Sequence, residues 1–248
     1  MCGRFTVTKK DTKAVADRFQ VELEKKLAES AEGAMGRFNV APTQEILTVR
    51  ASPDPEEAAD GVREGRTMRW GLVPRWADDL KVGYRMINAK TERLLESRAY
   101  APLVGKFRHR CLIVADGFYE WMKAEDPKQP RQPWRFTVDD GELFAFAGIC
   151  TRKEWEGEEA DEEGWLYSAT IITTKPNPLV AKVHDRMPVI LSGPEAERAW
   201  LDPALAAEDA VAMCEPPDPG RMQSAPANPK LNKVGRGIEG PELLVVPA

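Results

Sequence analysis

The sequence predicts a soluble protein of one or two domains that combines helices with a larger number of β-strands. One observation is an amphipathic helical pattern near the N-terminus, and another is a series of short apolar runs separated by turn residues. In addition, no internal repeat or break in composition divides the 248 residues. A chain of this length can bury a substantial core, and 42% hydrophobic with 30% charged residues is typical of soluble proteins. No apolar run reaches the roughly 18 residues of a membrane span, and the N-terminus lacks the apolar segment of a secretory signal.

The elements follow from local patterns along the chain. Apolar residues at a spacing of four predict a helix over residues 8–27, with candidate caps at residues 10–12. The apolar residues are Val15, Phe19, Leu23 and Leu27. Residues 28–36 are typical of a linker, and residues 37–42 of an extended turn before a proline. Strands are predicted at residues 46–50, 66–70, 108–114, 134–138, 143–149, 167–173 and 189–191. Of these, 134–138 and 143–149 are predicted to pair around the turn at 139–141. Short helices are predicted at 91–97, 179–183 and 195–201, a solvated hairpin tip at 154–163, and an extended tail at 242–246.

The first five residues, MCGRF, contain an unusual chemical group. Removal of Met1 is expected because Cys2 is small, and the mature chain would then begin with an amine and a thiol on one residue. The amine has a pKa of roughly 8 and the thiol of roughly 8.5, which Arg4 is expected to lower. Such an aminothiol condenses with an aldehyde to an imine, and the thiol can close a thiazolidine ring. The alternative is that Cys2 is an incidental residue in a frayed terminus.

The charge of the chain is unevenly distributed. A net charge of −5 and a pI near 5.4 argue against a nucleic-acid partner. Residues 66–110, however, contain eleven Lys and Arg against four Asp and Glu. This excess predicts either a basic groove on one face or cations spread over several solvent-facing surfaces. The four scattered cysteines indicate a cytosolic protein with reduced thiols, and two histidines exclude a His-rich metal site.

Two tryptophans lie in one short loop, RWGLVPRW, at residues 69–76. Its Gly and Pro exclude a regular helix or strand. Trp70 and Trp76, with a cation between them, are either a stacking platform for single-stranded bases or plugs of the hydrophobic core.

Three polar residues are candidates for chemistry. Asn88 is either a helix N-cap or an amide donor to a bound anion. Glu120, between two aromatic residues, is either a desolvated general acid or an outward-facing residue of an edge strand. His184 is either an imidazole catalyst oriented by Asp185 or a structural residue in a turn.

Six motifs occur in an order that resembles the SRAP family of abasic-site processing proteins, which shield damaged single-stranded DNA. They are MCGRF, FNVAPTQ, RWGLVPRW, INAKTE, GFYEW and KVHDRMPVIL. The resemblance covers about residues 2–191, with weaker support to the C-terminus. It implies one α+β domain over residues 1–248, in which a mainly antiparallel sheet curls into a barrel-like core with flanking helices.

The resemblance also implies a reaction. The mature N-terminal Cys2 would attack the ring-opened aldehyde of an abasic site and form a thiazolidine cross-link. Asn88 would hold the linkage, Glu120 would act as the acid/base for ring opening, and His184 as a second acid/base. The implied DNA contacts and groove residues are Arg4, Pro42, Trp70, Trp76, Arg85, Lys90 and Arg186.

The implied partner is single-stranded DNA with abasic sites, including single-strand/double-strand junctions. The resemblance implies no cofactor, metal or membrane, and a cytoplasmic monomer that joins the nucleoid on damage. Weak lyase activity is expected through the imine, whereas a dedicated autoproteolytic step is not, since only Met1 precedes Cys2.

The chain departs from the family pattern at several points. Lys90 replaces the more usual arginine and loses its bidentate hydrogen bonding. The segment at 228–233 only partly matches, and the acidic insert at 154–163 has no functional counterpart.

Two other function classes remain open. An N-terminal-cysteine peptidase or amidohydrolase would use Cys2, Glu120 and His184 but would not need the basic excess. A non-covalent single-strand binding module would use the tryptophans and cations while Cys2 stays passive.

Overall fold

Two β-sheets joined at Asp116 form the framework of the protein. The computed structural model describes residues 2–21, 33–123, 126, 128–233 and 238–247. The five-stranded sheet has the order β13-β8-β7-β1-β2. Its strands are β1 (Arg4–Val7), β2 (Arg37–Val40), β7 (Gly117–Met122), β8 (Gln132–Val138) and β13 (Met222–Pro226).

The eight-stranded sheet contains a closed barrel. Its strands are β3 (Glu45–Ala51), β4 (Arg63–Trp70), β5 (Asn88–Lys90), β6 (Arg110–Ala115), β9 (Phe144–Glu154), β10 (Trp165–Thr174), β11 (Met187–Pro188) and β12 (Ile190–Leu191). Strand β10 pairs with β4 on one side and with β9 on the other, so β10, β4, β3, β6 and β9 close on themselves. The predicted barrel-like, mainly antiparallel α+β fold is therefore confirmed.

The main core lies between the two sheets and is rich in aromatic rings. Phe5 of β1 contacts Trp70 at the end of β4 and Phe146 of β9, with centroid distances of 5.1 and 5.7 Å. Phe118 of β7 also meets Phe146, at 6.1 Å. These edge-to-face contacts anchor β1 in the core, three residues from Cys2.

Five short α-helices flank the sheets in the described part of the chain. They are α1 (Thr12–Phe19), α2 (Pro55–Ala59), α3 (Ala101–Val104), α4 (Pro194–Leu201) and α5 (Ala207–Ala212). In α1, the Asp11 carboxylate accepts hydrogen bonds from two backbone amides, and Gln20 ends the helix in a left-handed conformation. The predicted helix over 8–27 is thus correct in type but too long. Val15 and Phe19 are buried, while Leu23 and Leu27 lie outside the described residues.

Several local predictions were wrong about pairing or type. The strands near 134–138 and 143–149 do not form a hairpin, because β8 belongs to the five-stranded sheet and β9 to the barrel. Asp139, Asp140 and Gly141 all have positive φ, and this turn carries the chain from one sheet to the other. Residues 37–40 form a strand, and the tail predicted as extended contains a 3-10 helix at Pro241–Leu244.

Other predictions were confirmed. The acidic segment is the exposed tip of the β9–β10 hairpin, in which Glu154 pairs with Trp165. The predicted helix at 195–201 corresponds to α4. No helix among the described residues is both long and apolar enough to cross a bilayer.

Candidate functional site

Cys2 lies two residues before β1, and its side chain is fully buried. Its carbonyl oxygen accepts a 2.8 Å hydrogen bond from Nδ2 of Asn88. Asn88 begins β5, which runs parallel to β10 with Asn88 opposite Ile171. Asn88 is therefore a strand residue, and the prediction of a helix N-cap was wrong; Lys90 occupies the cap position of the following short helix.

Glu120 projects from the middle of β7 into the same region. Strand β7 lies between β8 and β1, so Glu120 is on an interior strand rather than an edge strand. Only 2% of its surface is exposed. The interpretation of Glu120 as an outward-facing residue was therefore wrong.

His184 completes the group from the opposite side. It follows the short 3-10 helix Val180–Lys182, and its Nε2 lies 3.8 Å from Oε2 of Glu120. Its Nδ1 is 3.0 Å from the backbone nitrogen of Arg186 and 3.1 Å from a carboxylate oxygen of Asp185. The loop thus fixes the ring, as expected for an imidazole oriented by its neighbours.

Burial sets the protonation of these groups. It raises the pKa of Glu120 to about 8, so the neutral acid is the main form at neutral pH. Burial lowers the pKa of His184 below its usual value, which favours the neutral imidazole. Burial also raises the pKa of the Cys2 thiol, and the negative charge of Glu120 adds to the effect.

The predicted activation of the thiol by Arg4 is therefore corrected. The Arg4 side chain is directed to Asn39, whose Oδ1 accepts a 2.7 Å hydrogen bond from Nη1. The Cys2 thiol instead lies 3.8 Å from the carbonyl oxygen of Arg4. The thiol is therefore buried and neutral, not activated as a thiolate.

Several of the predicted DNA contacts face solvent. Arg85 and Lys90 are exposed on either side of Asn88 in sequence, and Pro42 is half-buried after β2. Trp76 has 67% of its surface exposed, the largest fraction among the exposed large apolar residues. Such a ring is available for stacking.

Arg4 and Arg186 are held by protein partners. Asn39, which binds Arg4, also donates through Nδ2 to the carbonyl oxygen of Ile238. Arg186 forms a bidentate ion pair with Glu92, with one N···O distance of 3.0 Å. Sequence reasoning gave no role to Asn39 or Glu92, although both lie within the motifs FNVAPTQ and INAKTE.

Trp70 does not reach the surface. Its side chain is fully buried, packs against Phe5 and donates from Nε1 to the carbonyl oxygen of Ile87. Of the two interpretations of this tryptophan, the core plug is correct. Trp70 anchors the loop at residues 69–76 in the core, and its ring is not accessible for stacking with a base.

The basic excess of residues 66–110 is also not all at the surface. Arg110 is fully buried, and its guanidinium donates to four backbone carbonyl groups around the end of α4, including those of Trp200 and Asp202. Arg66 lies over the Tyr167 ring. The cations available to a ligand are therefore fewer than composition alone indicated.

Comparison with known proteins gives consistent matches. Residues 1–234 match the family model described as SOS response associated peptidase (SRAP). The abasic site processing protein YoqW of Bacillus subtilis is 40% identical over 236 residues, covering 94% of both chains. The abasic site processing protein HMCES of Xenopus tropicalis is 33% identical over 179 residues, covering 65% of this chain and 52% of its own.

A solved structure has the same fold. A protein from Bacteroides thetaiotaomicron superposes with a TM-score of 0.79 over all of both chains, at 22% identity. At this identity the likeness concerns the fold alone.

Proposed function

The chain belongs to the SRAP family, and from this premise we propose that it captures abasic sites in single-stranded DNA through Cys2. The names of its relatives support a role in abasic-site processing. The observation that carries the finer proposal is the meeting of four side chains from separate parts of the chain. Asn88 binds the Cys2 backbone, Glu120 is close enough to the Cys2 thiol to add to the effect of burial on its pKa, and His184 lies 3.8 Å from Glu120.

The reaction begins with the closed sugar of the abasic site. Glu120 in its neutral form gives a proton to the ring oxygen while the bond from that oxygen to C1′ breaks. The hydroxyl on C1′ loses its proton to a base and becomes the aldehyde. A buried acid with a pKa near 8 is protonated at neutral pH and suits this step.

Cross-linking then uses both functional groups of Cys2. With Met1 removed, the free amine adds to C1′ and one water leaves, which gives the imine. The thiol then adds across the C=N bond, with sulfur joining C1′ and a proton passing to nitrogen. Because amine and thiol are tethered on one residue, ring closure is favoured by proximity.

The neighbouring residues have supporting roles in this scheme. The amide of Asn88 fixes the Cys2 backbone, and its Oδ1 is buried with no hydrogen-bond partner among the described residues. That acceptor is available to an N–H of the linkage. His184 takes or gives a proton beside Glu120, including in reversal of the cross-link.

The DNA contacts follow from exposure and charge. Lys90, Arg85 and Arg186 would contact phosphates, and Trp76 would stack on a base beside Pro42. We propose single-stranded DNA and single-strand/double-strand junctions as partners, with the protein acting as a monomer in the cytoplasm.

A denaturing gel tests the proposal directly. Protein confirmed by mass spectrometry to begin at Cys2 is mixed with a single-stranded oligonucleotide carrying one abasic site, then heated in detergent. We expect a shifted band for the wild type with damaged DNA only. Cys2→Ala should give a band only after borohydride reduction, because it can form the imine but not the ring. No band for the wild type would refute covalent capture.

Non-covalent binding is the second candidate, and the burial of Cys2 favours it. The thiol of the unprocessed chain, which still carries Met1, has no exposed surface. If Cys2→Ala and wild type bind abasic and undamaged oligonucleotides equally, and neither forms a covalent product, this function replaces the first. A peptidase or lyase activity would appear in the same samples as cleaved peptide or cleaved DNA.

A further inference from the structure

The position of Cys2 depends on a very short strand. Strand β1 has four residues and pairs with β7 so that Arg4 is opposite Tyr119 and Thr6 is opposite Gly117. A slip of one residue in this register would turn every side chain of β1 to the other face. Strands near a chain terminus also fray unless side-chain contacts hold them. Polar side-chain contacts can therefore help to fix β1, in addition to its ladder and the packing of Phe5.

The carboxylate of Asp116 makes those contacts. It is fully buried, at the point where the chain passes from β6 to β7. Its oxygens accept hydrogen bonds from the Thr6 hydroxyl at 2.5 Å, the Thr8 backbone amide at 2.5 Å and the Thr8 hydroxyl at 2.6 Å. Its own backbone amide donates to the carbonyl oxygen of Thr6 at 2.9 Å.

A carboxylate suits this position better than any neutral side chain. It has two oxygens that only accept hydrogen bonds, and here they meet three donors. Nη2 of Arg135, 3.5 Å from Oδ1, offsets the buried charge. An asparagine would replace one of the two oxygens by an NH₂ group, and a donor that faces this group would lose its acceptor.

We infer that Asp116 is a positioning residue, which locks the register of β1 through Thr6 and Thr8 and thereby holds Cys2 beside Glu120. Asp116 and Glu120 lie on one continuous segment, four residues apart. The same segment therefore holds the strand that leads to the nucleophile and the acid that acts with it. The catalytic part of this inference rests on the proposed function, whereas the structural part does not.

The test uses substitutions that change one hydroxyl. Thr8→Val removes the hydroxyl that bonds Asp116 and keeps the shape, and Thr8→Ser keeps the hydroxyl. Thr48→Val is the matched control, since Thr48 is a buried threonine of the barrel whose hydroxyl bonds the carbonyl oxygen of Arg66. Asp116→Asn is a fourth variant, and Thr8→Val keeps the test valid if Asp116→Asn does not fold.

The first measurement needs no DNA. Labelling of Cys2 by a thiol reagent under native conditions is measured for each variant, and the same variant with Cys2→Ala supplies the background from other thiols. Loss of a charge-assisted hydrogen bond predicts labelling about tenfold faster in Thr8→Val. Thr8→Ser and Thr48→Val should label at the wild-type rate.

The second measurement is the cross-linking rate as a function of DNA concentration. In Thr8→Val we expect the rate at saturating DNA to fall about tenfold with an unchanged half-saturating concentration. Thr48→Val should lose stability but retain the wild-type rate. Equal labelling and equal rates in Thr8→Val and Thr48→Val would overturn the inference. If wild type forms no cross-link, the proposed function fails, and the labelling result still decides the role of Asp116.

Discussion

Replacing Glu120 by glutamine should stabilise the folded protein, and the gain should grow as the pH rises. Burial raises the pKa of Glu120 from its ordinary value of 4.5 to about 8. Below a pH of 4.5 the carboxyl group is protonated in both the folded and the unfolded protein, so its titration does not change the free energy of unfolding. Between the two values the unfolded chain releases the proton and the folded protein keeps it, so the wild type loses stability with rising pH. Glutamine has the same shape and no proton to lose.

The magnitude follows from the width of this pH window. Each pH unit within it changes the free energy of unfolding by about 1.4 kcal/mol. Relative to the glutamine variant, the wild type should therefore lose about 3 kcal/mol between about pH 5.5 and pH 7.5. Above about pH 8 the difference should level off.

Urea denaturation of both proteins at several pH values measures this difference. Glu158→Gln, on the exposed tip of the β9–β10 hairpin, is the control and should follow the wild type. If wild type and Glu120→Gln have parallel stability profiles, Glu120 is not a protonated buried acid, and its role in ring opening must be rejected.

Three further predictions concern the surroundings of the site. Glu92→Gln should release Arg186 and tighten single-stranded DNA binding, with a salt dependence steeper by about 0.7 in log–log slope, measured by fluorescence anisotropy. Trp76→Ala should weaken that binding by about 1–3 kcal/mol with little effect on stability, whereas Trp70→Ala should lower the free energy of unfolding by about 3–5 kcal/mol. Gly71→Ala should lower the melting temperature, because φ there is +120° and an added Cβ would lie 2.6 Å from a backbone oxygen. Equal effects of the two tryptophan substitutions on binding, or an unchanged melting temperature for Gly71→Ala, would contradict the respective assignments.

Local sequence patterns predicted the positions of the strands better than the pairing between them. The segments at 46–50 and 167–173 are strands as predicted, since β-branched runs between turn residues reflect local preferences. The turn at 139–141 led to a wrong prediction of a hairpin, because turn residues do not specify which strand the following segment pairs with. Here the next strand pairs in another sheet. Pairing is decided by packing across the whole domain, which no short window contains.

Local patterns were also insufficient to predict the surroundings of the candidate site residues. Chemistry identified Cys2 as an aminothiol, and the motifs identified Asn88, Glu120 and His184, but the local pattern left open whether Glu120 is buried or faces outward. The preceding residues of its strand pair with β1, which is more than a hundred residues away in the sequence, so no local window contains the surroundings of Glu120. Local spacing also could not separate the exposed tryptophan of the loop from the buried one, since both occupy one irregular segment.

The pairing of β1 with β7 has a consequence for how the protein is synthesised. The strand next to Cys2 leaves the ribosome before its partner β7, which is more than about a hundred residues further along the chain. Contacts of such separation form late, because the intervening chain must be ordered before they close. A nascent chain shorter than about 120 residues therefore lacks β7, the strand that pairs with β1. If Cys2 reacts as proposed, its thiol is open to free aldehydes early in biogenesis, before Glu120 has been synthesised.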